Sequence, residues 1–274
     1  MKFLLGKEIS LDIKDKIKTK LETLETKPSL YVLVNENDAS SLGYVSMLEK
    51  NATNLGIRFE KILMESNEES YISKIEELNN NKDVTAIMVT RPLYKGADEN
   101  KILSHIDSFK DVDAMNTRGL GEIFIGNDNI APATAKAIIK MIEYNNIEVK
   151  GKDCLVIGRS ISVGKPVSMM LLNRHGTVTI AHSRTINLDE HISRADIIVC
   201  AVGIPHFLDS KKVKEGCIIL DAGIHYLDDG KVVGDVLPDE SKDITLSKVP
   251  GGVGTITTSV LLENVLKLYE KQRG

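Results

Sequence analysis

Apolar positions along the first third of the chain switch between two periods. Ile13, Ile17, Leu21 and Leu24 recur every three or four residues, which predicts an amphipathic helix, and SLYVLV at 29–34 predicts a short strand. SSLGYVSMLEKNATNL (40–55) returns to the helical period. After IRFEKILM, Ile72, Ile75 and Leu78 mark another helix, and TAIMV at 85–89 reads as a buried strand. Helices alternating with strands imply a parallel sheet covered by helices.

From 120 to 133 the pattern breaks: LGEIFIGNDNIAPA, with its glycine, asparagine and proline, predicts an irregular connection before the helix TAKAIIKMIEYNN. Beyond it DCLVIG, TVTIA, DIIVCAVG and CIILDAG are four apolar strands, each stopping at or near a glycine or a small or polar residue, with helical segments between. Strands buried on both faces read as such runs, and ligands bind at the carboxyl edge of a doubly wound sheet. The expected organisation is therefore α/β in two domains, 1–120 and 121–255. A last helix, 256–274, is expected to pack back on the first domain.

The length of 274 residues suits two domains of ~100–200 residues each. Lys and Arg total 35 against 39 Asp and Glu, a formal net charge of −4, so no bulk attraction to nucleic acid or an anionic membrane follows. The N-terminus MKFLLGKEISLDIKDK turns charged too soon for a signal peptide, and no apolar run approaches the ~20 residues of a membrane span. Cys154, Cys200 and Cys217 lie in separate apolar runs, which predicts reduced core thiols and a cytoplasmic protein. The six histidines form no metal-ligating pair, so no metal is expected.

In CLVIGRSISVGKPVS (154–168) an apolar strand stops at Gly158 and a helix is expected to start near Val163, which directs backbone N–H groups at the sheet edge. Gly158 and Gly164 stand six apart, unlike the G-x-G-x-x-G fingerprint, so from this segment alone a ligand-free tight turn is an equal reading. The next strand shifts the balance. NAD sites place a carboxylate near its end for the ribose 2′-hydroxyl, whereas here His182, Ser183 and Arg184 follow TVTIA. With Arg159 they make a cationic, hydroxyl-bearing pocket suited to a 2′-phosphate, which points to NADP.

GKDCLVIGRSISVGKPVSMMLL, TVTIAHSRT, ADIIVCAVGIP, LDAGI, VGDV and VPGGVGTIT together resemble the bifunctional methylenetetrahydrofolate dehydrogenase/methenyltetrahydrofolate cyclohydrolase family over nearly the whole chain. The resemblance implies an N-terminal parallel-sheet α/β folate-binding domain, a Rossmann-like NADP-binding domain, a cleft between them, and a homodimer. It assigns cofactor binding to Gly158, Arg159, Ser160, Val163, His182, Ser183, Arg184, Gly203 and Ile224, and substrate contacts to Pro250, Gly251 and Gly252, with Val253 in the same turn. On the folate side it places Tyr44 and Asp113 in catalysis and substrate binding. The family's lysine position is Leu48 and its glutamine position is Thr90, while Ser41 is kept; after Asp113 the family's Gly-Phe-His-Pro is replaced by Ala114, Met115, Asn116 and Thr117.

Oxidation of methylenetetrahydrofolate needs chiefly alignment of hydride donor and acceptor. Hydrolysis of the methenyl product needs a titrating group, and leucine has none. The resemblance therefore implies an NADP-dependent methylenetetrahydrofolate dehydrogenase of one-carbon metabolism with weak or lost cyclohydrolase activity. Two alternatives stand beside it: a catalytically silent nucleotide-binding paralogue, and a two-domain dehydrogenase for another small substrate. Read from the residues alone, Tyr44 also fits an amphipathic helix boundary, Asp113 a cap for the next segment, and Leu48 a core position.

Overall fold

The computed structural model describes residues 1–273. In chain order the elements are β1 (Lys2–Leu4), α1 (Lys7–Glu22), β2 (Ser29–Asn35), α2 (Ala39–Leu55), β3 (Arg58–Met64), α3 (Glu68–Asn80), β4 (Ala86–Val89), α4 (Glu99–Ser104), α5 (Thr117–Phe124), α6 (Ala133–Tyr144), β5 (Asp153–Ile157), α7 (Gly164–Leu172), β6 (Thr177–Ala181), α8 (Leu188–Arg194) and β7 (Ile197–Cys200). They continue with β8 (Leu208–Asp209), β9 (Ile218–Asp221), β10 (His225–Tyr226), β11 (Val232–Val233), β12 (Val236–Leu237), β13 (Thr245–Ser247) and α9 (Val253–Arg273).

The chain divides into two compact units. One holds Ile13–Glu122, Asn129–Ala131 and the chain from Leu261 onward. Its sheet has the order β3-β2-β4, all parallel, with β2 in the middle. Leu30, Val32, Leu33 and Val34 of β2 are fully buried because helices cover both faces of a central parallel strand. Helix α2 starts where Asp38 accepts hydrogen bonds from the backbone N–H of Ser40 and Ser41, and it stops at Gly56 in the left-handed region (φ 90°). Its buried face carries Ser41, Val45, Leu48 and Ala52. Within the unit, Asn264 of α9 donates to the carbonyls of Val112 (2.9 Å) and Ala131 (3.0 Å), and Gln272 donates to that of Thr85 (2.8 Å).

The other unit holds Met1–Asp12, Ile123–Asp128 and Pro132–Val260. Its six-stranded sheet, β1-β13-β9-β7-β5-β6, is parallel throughout. Ile197, Ile198, Val199 and Cys200 of β7 are wholly buried, as expected of an inner strand. Leu155, Ile157, Ile192, Ile198, Cys200 and Ile219 belong to the cluster that forms its core.

Four local expectations are corrected. The stretch 120–133 is not irregular throughout, because α5 runs through Phe124. Helix α1 ends at Glu22, so Leu24 lies beyond it, its N–H donating to the Leu21 carbonyl. The first twelve residues belong with the six-stranded unit, because Lys2–Leu4 pairs in register with Thr245–Ser247. The three cysteines are buried and free; Cys217 stands just before β9, not inside it. Burial pushes the Cys154 thiol up to about 11 and that of Cys217 to about 12, so both are protonated at neutral pH. Among the described residues no helix is long and apolar enough to cross a membrane.

Candidate dinucleotide edge and folate half-site

The order β9-β7-β5-β6 brings the loops that follow these strands to one carboxyl edge. After β5, Gly158 adopts φ 126°, and a Cβ there would stand 2.2 Å from the Ala201 carbonyl oxygen. Gly164 opens α7 so close to the same loop that its Cβ would lie 2.3 Å from the Gly158 oxygen. Backbone thus packs directly on backbone, which only glycine allows. The Ser160 hydroxyl accepts from the N–H of Val163 (3.1 Å) and of Gly164 (3.3 Å), holding the start of the helix, while the Arg159 side chain is exposed.

Next to it, Gly158 N–H donates to the Ala181 carbonyl (2.9 Å), which ties the loop after β5 to the end of β6. There His182 N–H donates to Thr185 Oγ1 (2.8 Å) and Arg184 N–H to His182 Nδ1 (3.1 Å). This compact turn leaves Ser183 and Arg184 exposed, and no carboxylate occurs in 181–186. After β7 comes Gly203 (φ 71°), and after β9 comes Ile224, 54% exposed despite being apolar. The edge closes beyond β13, where Gly251 has φ 110° and its carbonyl accepts from Gly6 N–H (2.8 Å). Gly252 is buried, a Cβ on it would lie 2.4 Å from the Lys248 oxygen, and Pro250 is exposed. A glycine cradle at a helix start, guanidinium groups beside it and an exposed apolar rim fit a phosphorylated dinucleotide.

In the three-stranded unit, α2 carries half-buried Tyr44 and, one turn on, wholly buried Leu48. Ser41 Oγ donates to Asp38 Oδ2 (2.5 Å), so it serves the helix start. Thr90 follows β4 and is buried, its N–H donating to the Leu33 carbonyl (3.0 Å). Half-buried Asp113 lies in the loop after the bridge between Ile87 and Asp111.

Asp111, not Asp113, organises that loop. Its buried carboxylate accepts from the N–H groups of Asn116 (2.8 Å) and Asp113 (3.2 Å), and Ala114 takes a left-handed φ of 49° between them. Burial, with the charge of Asp113 adding to it, raises the Asp111 carboxyl from 3.8 to about 7. The sequence signal for Asp111 was its place in KDVD, but both aspartates share that motif.

A raised carboxyl pKa means that the unfolded chain releases its proton near 3.8 while the folded chain holds it to about 7. The contribution to stability is then greatest at low pH and declines as pH rises through that window. Asp111→Asn removes the slope, so its stability relative to the parent should rise by a few kcal/mol between pH 4.5 and 7.5 in urea unfolding. Parallel pH profiles for the two proteins would show that the carboxyl is not perturbed.

Residues 4–113 match the family model for the tetrahydrofolate dehydrogenase/cyclohydrolase catalytic domain, and 132–273 match that family's NAD(P)-binding domain. The chain belongs to the tetrahydrofolate dehydrogenase/cyclohydrolase family. It is 40% identical over 278 residues to the bifunctional protein FolD of Acetivibrio thermocellus, spanning 99% of this chain and 98% of that protein. Among solved structures it is similar to the bifunctional FolD methylenetetrahydrofolate dehydrogenase/cyclohydrolase of Campylobacter jejuni (33% identity, TM-score 0.94, 99% of both chains). It is also similar to the Trypanosoma brucei FolD enzyme, solved with NADP cofactor and an inhibitor (28% identity, TM-score 0.93, 99% of this chain and 98% of that one). The family's NAD(P)-binding domain contains the whole glycine-lined edge, and its catalytic-domain model reaches Asp113.

Proposed function

We propose that the protein oxidises 5,10-methylenetetrahydrofolate to the 5,10-methenyl compound with NADP, and that the family's second reaction, methenyltetrahydrofolate hydrolysis, is weak or lost. The observation that carries the cofactor part is the turn after β6, where Ser183 and Arg184 stand exposed beside the Arg159 loop with no carboxylate between them. The T. brucei relative, with NADP in its structure, supports the same reading.

NADP held at this edge supplies the hydride acceptor. The chain's own task is to hold and orient. Gly158, Ser160, Val163 and Gly203 present backbone to the dinucleotide, Arg159, His182, Ser183 and Arg184 face its 2′-phosphate, and Ile224 gives an apolar rim. Pro250, Gly251 and Gly252 are assigned to substrate. Tyr44 offers an aromatic face to the pterin, and the Asp113 carboxylate accepts from amino-pyrimidine donors. Loss of hydride leaves a carbon cation stabilised by its neighbouring nitrogens, so no residue has to remove a proton from that carbon.

Arg159→Ser tests the cofactor assignment. A guanidinium–phosphate pair lost from this exposed loop should raise the KM for NADP about 10–100-fold while leaving that for NAD within about threefold. Equal losses for both cofactors, or a parent enzyme that prefers NAD, overturn it. Assembly as a homodimer is part of the proposal. The outer edge of β6 has no strand partner among the described residues, and Leu172, Ile180 and Ile186 are exposed around it. The three buried thiols suit a cytoplasmic protein.

A further inference from the structure

Asp235, in the VGDV motif, is wholly buried and takes no part in the chemistry described above. Its carboxylate joins two loops of the dinucleotide edge. Oδ2 accepts from the N–H of Val202 (2.7 Å) and Gly203 (3.0 Å), which follow β7. Oδ1 lies 2.7 Å from Nε2 of His225, which opens β10 immediately after Ile224 of the loop following β9.

The carboxylate is itself fixed. The N–H groups of Asp235 and Val236 donate to the two oxygens of buried Asp221, each at 3.0 Å. Asp221 N–H donates to the Ser247 hydroxyl (2.7 Å), and Gly223 N–H donates to Asp221 Oδ1 (2.8 Å). The packing leaves no slack: a Cβ on Gly223 would lie 2.3 Å from Asp235 Oδ1, and one on Gly234 would lie 1.9 Å from Asp221 Oδ2. The His225 backbone pairs with Val233 in the β10–β11 ladder, while its side chain, 19% exposed, turns to Asp235.

On the cofactor reading given above, the 2′-phosphate end of the dinucleotide lies after β5 and β6. The strand order then puts its nicotinamide end after β7 and β9. We infer that Asp235 and His225 are positioning residues, a clasp that sets the separation of the Gly203 and Ile224 loops and thereby the seat of the nicotinamide. Neither touches the reacting atoms. The clasp acts on one end of the cofactor only, which separates it from a general stabilising role.

The test uses the full-length protein and two probes measured by direct titration, NADP and adenosine 2′,5′-bisphosphate, which carries the 2′-phosphate but no nicotinamide. His225→Ala should weaken NADP about tenfold, the size of one charge-assisted hydrogen bond, and lower kcat for methylenetetrahydrofolate oxidation, with bisphosphate affinity unchanged. His225→Gln, whose terminal amide reaches as far as Nε2 and donates to the same oxygen, should recover NADP affinity to within about threefold of the parent. Equal weakening of both probes, unchanged NADP binding, or no rescue by glutamine overturns the clasp. If the parent binds neither probe, the cofactor reading fails, and the clasp fails with it. Asp235→Asn is expected to lose stability because it leaves buried donors short of an acceptor, so the His225 pair carries the test.

Discussion

Purified protein supplied with 5,10-methenyltetrahydrofolate is expected to leave it decaying at the buffer rate, while the same preparation reduces NADP with the methylene compound and lets methenyl product accumulate. The reason lies in α2. On the proposed reading the family's lysine position is taken by Leu48, which is wholly buried on the face that also holds Val45 and Ala52, and its glutamine position by Thr90, also buried. General acid–base assistance is worth about 10²–10⁴ in rate, so its loss brings hydrolysis toward the uncatalysed level. Leu48→Lys with Thr90→Gln should regain part of the activity at a cost in stability, since an ammonium in this apolar setting has few partners. Parent-catalysed decay far above the buffer rate would show that another group activates water and would end this reading of Leu48.

Gly158→Ala and Gly164→Ala should each abolish measurable NADP binding and lower the melting temperature by roughly 5–15 °C, corresponding to about 2–4 kcal/mol. Both new methyl groups would meet backbone carbonyl oxygens, at 2.2 and 2.3 Å, and Gly158 also sits at φ 126°. No rotamer change relieves a clash with backbone, so the loop itself must move. Gly43→Ala is the control: it lies inside α2 with nothing within 4 Å of its Cβ and should raise stability by about 0.5–1 kcal/mol. Dinucleotide binding that survives either loop substitution would mean that the cofactor does not depend on this backbone approach.

Much of this was legible in the chain. SLYVLV, DCLVI and IIVC could be read as strands because inner parallel strands must be apolar on both faces, a property that needs no knowledge of what packs against them. The loop from Gly158 to Gly164 leaves a tight turn and an anion site equally open, and the HSRT turn after the next strand tips the reading to a dinucleotide edge, because phosphate charge demands particular residue types. The loop around Asp113 was harder. Two aspartates two residues apart look alike in sequence, and only burial shows that Asp111 holds the turn while Asp113 stays half-buried.

By itself the sequence determined the α/β alternation and the family, because these depend on residue type and local period. Only the tertiary structure decided that Lys2–Leu4 joins a sheet through Thr245–Ser247, since three-residue strands carry too little pattern to name a partner more than two hundred residues away. It also decided that Asp111, Asp221 and Asp235 are interior anchors. A carboxylate is stable inside when backbone N–H groups converge on it; around Asp111 its own loop supplies them, whereas for Asp221 and Asp235 they come chiefly from segments 14 to 33 residues away.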